Sequence, residues 1–282
     1  MKKVNSTKAR QDRSVAAGRG RGEGDAYTSH IQITRNELAS RGRSAYTPSL
    51  IASRHHDELS HLESKINLTL PLFRPIDVRE GYRMELHGVE EEFADEFPYA
   101  RGTVEIASAL GYKHPTVEEG DYFLMTTDFV ATKADFSTFT VNGKYEKDIE
   151  DRRTRELIRI EKFYWEDRGG RHYVATERHF DRKLVNNLEM MASFRPENVR
   201  EMPGAWFALL GHVARSLPMR DALRVVSAES LNIMIDTVKH AVATGRIITD
   251  LHSARLRWDA IWPPLLEGGE LLPWFGELAP EE

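Results

Sequence analysis

Acidic side chains in positions that favour apolar ones mark where this chain could do chemistry. Glu63 lies four residues after Leu59, three before Ile66 and seven before Leu70, so a helix over this stretch turns it onto the apolar face. Burying an unpaired carboxylate costs several kcal/mol, and a metal ion or a lysine offsets that cost. A glutamate at the margin of the face, pairing with a surface lysine, is the commoner arrangement. Asp128 is the second misplaced acid: aspartate is disfavoured in strand interiors, yet Met125, Phe129 and Val130 surround it in the most strand-like segment of the chain. On the following strand Asn142 and Lys144 share one face while Phe139 and Val141 take the other. Gly143 between them allows close approach to the backbone.

Whether these groups meet depends on hairpin register, because directly paired residues share a face. With Lys133 to Ser137 as a five-residue loop, Thr132 pairs with Thr138 and Asp128 lies across from Asn142. Two carboxylates, an amide oxygen, a backbone carbonyl and a lysine then form an oxygen-rich site suited to Mg²⁺ or Mn²⁺, and phosphoryl chemistry is its natural use. A buried Asp-Lys pair holding the sheet is the structural alternative. His55, His56 and His61 lack His-Glu-x-x-His spacing, and with no cysteine in the chain they read as loop or DNA-backbone contacts rather than a zinc site. No phosphate-binding loop or nucleophilic serine motif is present.

The elements that must position these residues follow from periodicity. Leu59, Leu62, Ile66 and Leu70 predict a helix from Asp57, closed by Pro71. Arg83 to Pro98 reads as an acidic surface insertion, and 102–111 as a short helix ended by Gly111. Tyr122–Val130 and Phe136–Lys144 read as a strand pair, Arg153–Trp165 as an amphipathic helix, and His172–Thr176 as a further strand. Leu209–Arg215 and Met219–Val226 look helical. Ser227 is placed as the cap of a helix reaching about Thr244, with Gly245 as its stop. Arg246–Leu251 and Arg255–Asp259 then read as a small hairpin, so the C-terminal part is expected to be winged-helix-like, with a docking tail from Trp262. Domains are expected at 1–182 and 183–282.

The chain has 282 residues, 40% hydrophobic and 29% charged, with a net charge of -5. These values suit a globular protein and exclude collagen-like and wholly disordered classes. The absence of cysteine excludes disulfides, thiolate nucleophiles and iron-sulfur centres and points to a reducing, cytoplasmic setting. No apolar leader or long apolar span is visible, so neither secretion nor membrane crossing is expected. Residues 1–56 hold eleven Lys or Arg against four Asp or Glu. That basic arm fits phosphate binding, through Arg19, Arg21, Arg41, Arg43 and Arg54; a solubilising arm explains the same charge. Gly18-Arg-Gly-Arg-Gly-Glu-Gly24 reads as a loop or strap, since neither an apolar strand nor a helix flanks it as a nucleotide-binding loop requires.

Several of these segments together carry a resemblance. Gly18–Gly24, Gly42-Arg43-Ser44, His55-His56, Leu59-Ser-His-Leu-Glu63, Lys113-His-Pro115, Thr126-Thr-Asp-Phe129 and Tyr164-Trp165 make residues 18–181 similar to the TnsA family, the endonuclease subunits of heteromeric transposases within the restriction-endonuclease-like superfamily. The resemblance implies an α/β fold with a mixed sheet flanked by helices. It implies Glu63, Asp128 and Lys144 as catalytic residues, and Glu63, Asp128, Asn142 and Gly143 as ligands of Mg²⁺, with Mn²⁺ able to substitute and two ions per site. The family position filled here by Asn142 is usually Gln or Glu, one methylene longer, which leaves the Gly143 carbonyl as the surer ligand. Glu161 matches an acidic family position and reads as a solvated helix residue. The implied activity is cleavage of the non-transferred strand at the 5′ ends of a transposon. Its implied partners are transposon-end DNA, a TnsB-like transposase and a TnsC-like ATPase regulator, in a bacterial, nucleoid-associated assembly. The rival expectations are a free-standing restriction or repair nuclease and a non-enzymatic DNA-binding adaptor.

Overall fold

Half-buried and wholly buried segments between residues 77 and 175 build a four-stranded mixed sheet, its last two strands buried almost throughout. The computed structural model describes residues 7–33, 45–51, 54–88, 100–117, 120–268 and 275–276. The chain divides into two compact units, one of Met1–Ile66, Pro75–Glu177 and Trp274–Glu282, the other of Asn67–Arg74 and Arg178–Pro273; the sequence reading sets the division at 182.

In the first unit a helix α1 (Thr7–Ala16) precedes a strand pair, β1 (Ala45–Pro48) and β2 (His55–Glu58), joined antiparallel with Pro48 opposite His55. Helix α2 (His61–Thr69) follows. It starts at His61 rather than Asp57 because the His55–Glu58 backbone is taken up by the β1 ladder. Then come β3 (Asp77–Arg83), α3 (Thr103–Ala109), β4 (Thr126–Thr132), β5 (Thr138–Gly143), α4 (Glu146–Ile149), α5 (Arg152–Glu166) and β6 (Arg171–Ala175). Sheet order is β3-β4-β5-β6. The first two pairings are antiparallel and the third is parallel, so β5 and β6 need a crossover, which α4 and α5 supply. Asp151 caps α5 by accepting from the Thr154 amide at 2.8 Å. Ile106 of α3 and Ile160, Tyr164 and Trp165 of α5 close a core with Met84, Met125 and Val130.

Two expectations for the sheet need correction. Strand β3 lies partly where an acidic insertion was expected: Arg83 ends the strand and Met84 is fully buried, while residues 89–99 fall outside the described residues. Tyr122 to Met125 precede β4 instead of opening it, and Tyr122 makes an isolated bridge to Thr116. The glycine segment is an ordered strap over the sheet edge. Gly24 N donates to Asp77 Oδ1 at 3.2 Å, the Tyr27 hydroxyl to the Glu80 carbonyl at 2.8 Å and His30 N to the Gly81 carbonyl at 3.2 Å. Gly20 has φ +74, and a Cβ there would stand 2.7 Å from the Arg83 Cβ, so only glycine allows this approach. The strap thereby covers edge strand β3. At the opposite edge, Val174 of β6 donates to the Gly276 carbonyl at 2.8 Å.

The second unit is mainly helical: α6 (Arg182–Ala192), α7 (Gly204–Val213), α8 (Met219–Val226) and α9 (Leu231–Ala243), then a ribbon of β7 (Ile247–Ile248) and β8 (Leu266–Glu267). Leu184, Met191, Leu210, Met219, Leu223 and Val238 are among its fully buried residues. Helix α9 begins after Ser230, not Ser227, whose hydroxyl accepts from the Glu229 amide at 3.1 Å. The expected hairpin of 246–251 with 255–259 is not formed; β7 pairs with β8. The cause is buried Asn187, whose amide donates to the Leu251 and Ala254 carbonyls and accepts from the Leu256 amide at 2.8–2.9 Å. Those backbone groups are thus bound to a side chain instead of to a partner strand.

Candidate active site

The β4–β5 register brings two of the expected residues together. Thr132 faces Thr138 and Phe129 faces Val141, the pairing that a five-residue loop requires. Asp128 Oδ2 accepts from the Gly143 amide at 2.8 Å and lies 3.7 Å from Lys144 Nζ. Lys144 Nζ donates to Asn142 Oδ1 at 2.7 Å, and the Asn142 amide donates onward to Glu161 Oε2. Asn142 is therefore a bridge between the lysine and a second acid, with both ends of its amide engaged. The Lys144 side chain remains 33% exposed, so the ammonium stays reachable from solvent.

Helix α2 reaches this strand at Gly143. A Cβ on Gly143 would lie 3.0 Å from Ile66 Cδ1 and 3.5 Å from the Leu62 side chain, so the glycine lets the apolar face of α2 rest against β5. That contact puts Glu63 within electrostatic reach of Asp128 and Lys144. Glu63 also closes its own helix N-terminus. Its Oε2 accepts from the Leu59 amide at 2.8 Å, its Oε1 from the Ser60 hydroxyl at 3.0 Å, and its amide donates to Ser60 Oγ at 3.1 Å. Ser60-x-x-Glu63 is thus a capping arrangement, a signal that was present in the sequence beside the misplaced charge.

Glu161 corrects its sequence reading: it is buried, at 3% exposure, and is not a solvated helix residue. The spacing rule that singled out Glu63 also applies here, since Leu157 and Tyr164 stand four before and three after it. Its Oε1 is buried without a hydrogen-bond partner. Thr127 lies beside it, and the Thr127 hydroxyl accepts from Trp165 Nε1 at 2.7 Å.

Charge in this cluster is out of balance. Burial, then Asp128, pushes Glu63 up to about 8, against the opposing pull of Leu59, Ser60 and Lys144. Burial, then Asp128, likewise pushes Glu161 up to about 8. Burial works to lower Lys144, but Asp128, Glu161 and Glu63 outweigh it and hold the ammonium above its ordinary value. Buried His172, hydrogen-bonded to Thr140 Oγ1 at 2.8 Å, is pushed down to about 3 by burial and the two lysines Lys144 and Lys162, so it adds no positive charge. Three acids around one lysine form a site that a divalent cation would relieve. The donors are all oxygens, as Mg²⁺ and Mn²⁺ prefer. Among the described residues no three His, Cys, Asp or Glu side chains converge into a cage.

The expected phosphate-binding arginines are placed differently from one another. Arg19 lines a cleft beside the strap, and Arg21 pairs with Glu85. Arg54 is turned inward: it donates to Glu80 Oε2 at 2.7 Å, lies over the Tyr27 ring at 5.0 Å and is 11% exposed. His56 is buried against the same Glu80 oxygen at 2.7 Å. Arg41 and Arg43 lie outside the described residues.

Comparison with known proteins points to one family. The TnsA-like endonuclease N-terminal family matches residues 89–177, a stretch that holds Asp128, Asn142, Gly143, Lys144 and Glu161 but not Glu63. The transposon Tn7 transposition protein TnsA of Escherichia coli is 28% identical over 204 residues, covering 71% of this chain and 68% of that protein.

Proposed function

We propose that this chain, which is TnsA-like, is the DNA-cleaving subunit of a heteromeric transposase and hydrolyses the non-transferred strand at the 5′ ends of its transposon. The observation that carries this reading is the meeting of Asp128, Asn142 and Lys144, with Glu63 and Glu161 pressing on the same charge balance. Glu63, Asp128 and the Gly143 carbonyl would hold Mg²⁺ or Mn²⁺. Such an ion, when bound, supplies Lewis acidity at the phosphate and a lowered pKa for water.

The chain's own residues do the rest. Asn142 and Asp128 aim the Lys144 ammonium, and its proton stays at Nζ because three carboxylates favour the charged form. From there Lys144 donates to a non-bridging phosphate oxygen as negative charge builds on it, a preorganised contact that needs no reorientation during the reaction. Glu161 holds Asn142 in place from behind, and the Gly143 amide fixes the Asp128 carboxylate. The TnsB-like transposase and TnsC-like regulator are proposed partners. The helical second unit with its two-stranded ribbon is the proposed surface for the regulator.

The test is an end-cleavage assay with both partners and Mg²⁺. Wild-type chain should nick the 5′ side of each end, and Asp128→Ala should not. Full cutting by the variant would leave the chain as an adaptor, and efficient cutting by the wild type without partners would make it a free-standing nuclease.

A further inference from the structure

The first unit contains a cleft of about 200 Å³ between α1, the strap and the start of β4. Its inner wall is continuous with the candidate active site. Thr126, which lines it, stands two residues before Asp128 on β4 and so shares that strand face. Leu59, also in the wall, donates its amide to the Glu63 carboxylate. Arg10 of α1 and Arg19 of the strap give the cleft two cations, and among the described residues that line it there is no carboxylate. Phe123, Ile31 and Leu59 supply apolar and aromatic surface, and Gln32 supplies an amide.

The cleft is built, not incidental. Ser14 of α1 and His30 are both buried at its base; the Ser14 hydroxyl donates to the His30 carbonyl at 2.7 Å and lies 2.9 Å from His30 Nδ1. Gln11 Oε1 accepts from the Leu124 amide at 3.1 Å, tying α1 to the far wall. Burial, with Arg83 and Arg19 nearby, pushes His30 down to about 4, so the base of the cleft is neutral and the arginines set its charge. An anion with a flat apolar body matches this lining.

We propose that this cleft receives a single nucleotide of the DNA strand next to the scissile phosphate, with Arg10 and Arg19 on its phosphate and its base against Phe123. The proposal rests on the nuclease reading above and deepens it by making the α1–strap cleft a determinant of where the strand is held. Base stacking on an aromatic ring tolerates sequence and adds affinity base by base, so the cleft would fix distance from the cut more than base identity.

The experiment is photocrosslinking of the full-length chain, with its partner transposase, to end duplexes carrying one 5-iodouracil that is moved base by base across the cut point. One position next to the cut should crosslink to the peptide containing Phe123 or the one containing Ile31. Arg10→Ala should lower that yield about tenfold, the scale of one charged hydrogen bond, whereas Arg13→Ala, an exposed α1 arginine outside the lining, should not. Asp128→Asn should abolish cutting and keep the crosslink. Crosslinks only elsewhere, none at any position, or equal loss in both arginine variants would overturn the proposal. Tight binding of free deoxythymidine monophosphate without a duplex crosslink would overturn it too. Loss of the nuclease reading alone would show as a retained crosslink with no cutting by the wild type.

Discussion

Lys144 keeps its charge in a half-buried setting because the acids around it outnumber it, and the same imbalance makes those acids poor residents of a metal-free protein. Above about pH 8, where Glu63 and Glu161 ionise beside Asp128, replacing Asp128 by Asn removes one of three like charges while leaving the shape unchanged. Chemical denaturation in chelator above that pH should therefore show Asp128→Asn more stable than wild type, although it no longer cuts, as expected where a site is held for function against stability. Lys144→Ala should lower the cleavage rate by about 10²–10³-fold, the scale of one preorganised contact to developing charge. The pH dependence has a definite sign. Glu63 and Glu161 rise from the ordinary 4.5 to about 8 in the folded chain, so between those values the folded state binds more protons than the unfolded one, and stability falls as pH rises through the window. Urea midpoints in chelator should drop from about pH 5 to about pH 8, and Mg²⁺ should restore more stability at the upper end. A flat profile would contradict the raised values. At this scale the sequence exposed Glu63, Asp128 and Lys144, because an acid on an apolar face or in a strand is visible as a violation of pattern. Glu161 obeys the same rule on α5 and was masked only by the charged residues around it.

Elements set how close those residues come, and the decisive contact is between α2 and β5. Gly143→Ala would push a methyl to 3.0 Å from Ile66 Cδ1, an overpacking of about 1–3 kcal/mol that moves the helix carrying Glu63. Cleavage should fall, and Ile66→Val, which deletes the opposing methyl, should recover part of it; no recovery would show that the glycine acts through something other than α2. The β4–β5 pairing was legible because loop length and face alternation fix register. The β1–β2 pair and β3 were not, since His55–Glu58 and Asp77–Arg83 are charged segments whose strand character comes from their neighbours. The expected wing failed for a similar reason: Asn187, far away in sequence, takes the backbone groups that a second strand would have used.

At the scale of the whole molecule, the chain returns on itself in a way that composition cannot reveal. Phe275 is buried, and Gly276 bridges to Val174 at the β6 edge of the first unit's sheet. Phe275→Ala should therefore destabilise the first unit by about 3 kcal/mol, lowering its thermal midpoint by several degrees; an unchanged midpoint would mean that this edge contact contributes nothing. No helix among the described residues is long and apolar enough to cross a membrane. The central claim is that Asp128 and Lys144 form one phosphodiester-cleaving centre, and its most direct test is strand-specific end cleavage by the full chain with its transposase and ATPase partners in Mg²⁺. Wild type should cut the 5′ strand, while Asp128→Ala and Lys144→Ala leave that strand intact and the partner's 3′ cuts in place. Undiminished 5′ cutting by both variants would contradict the account.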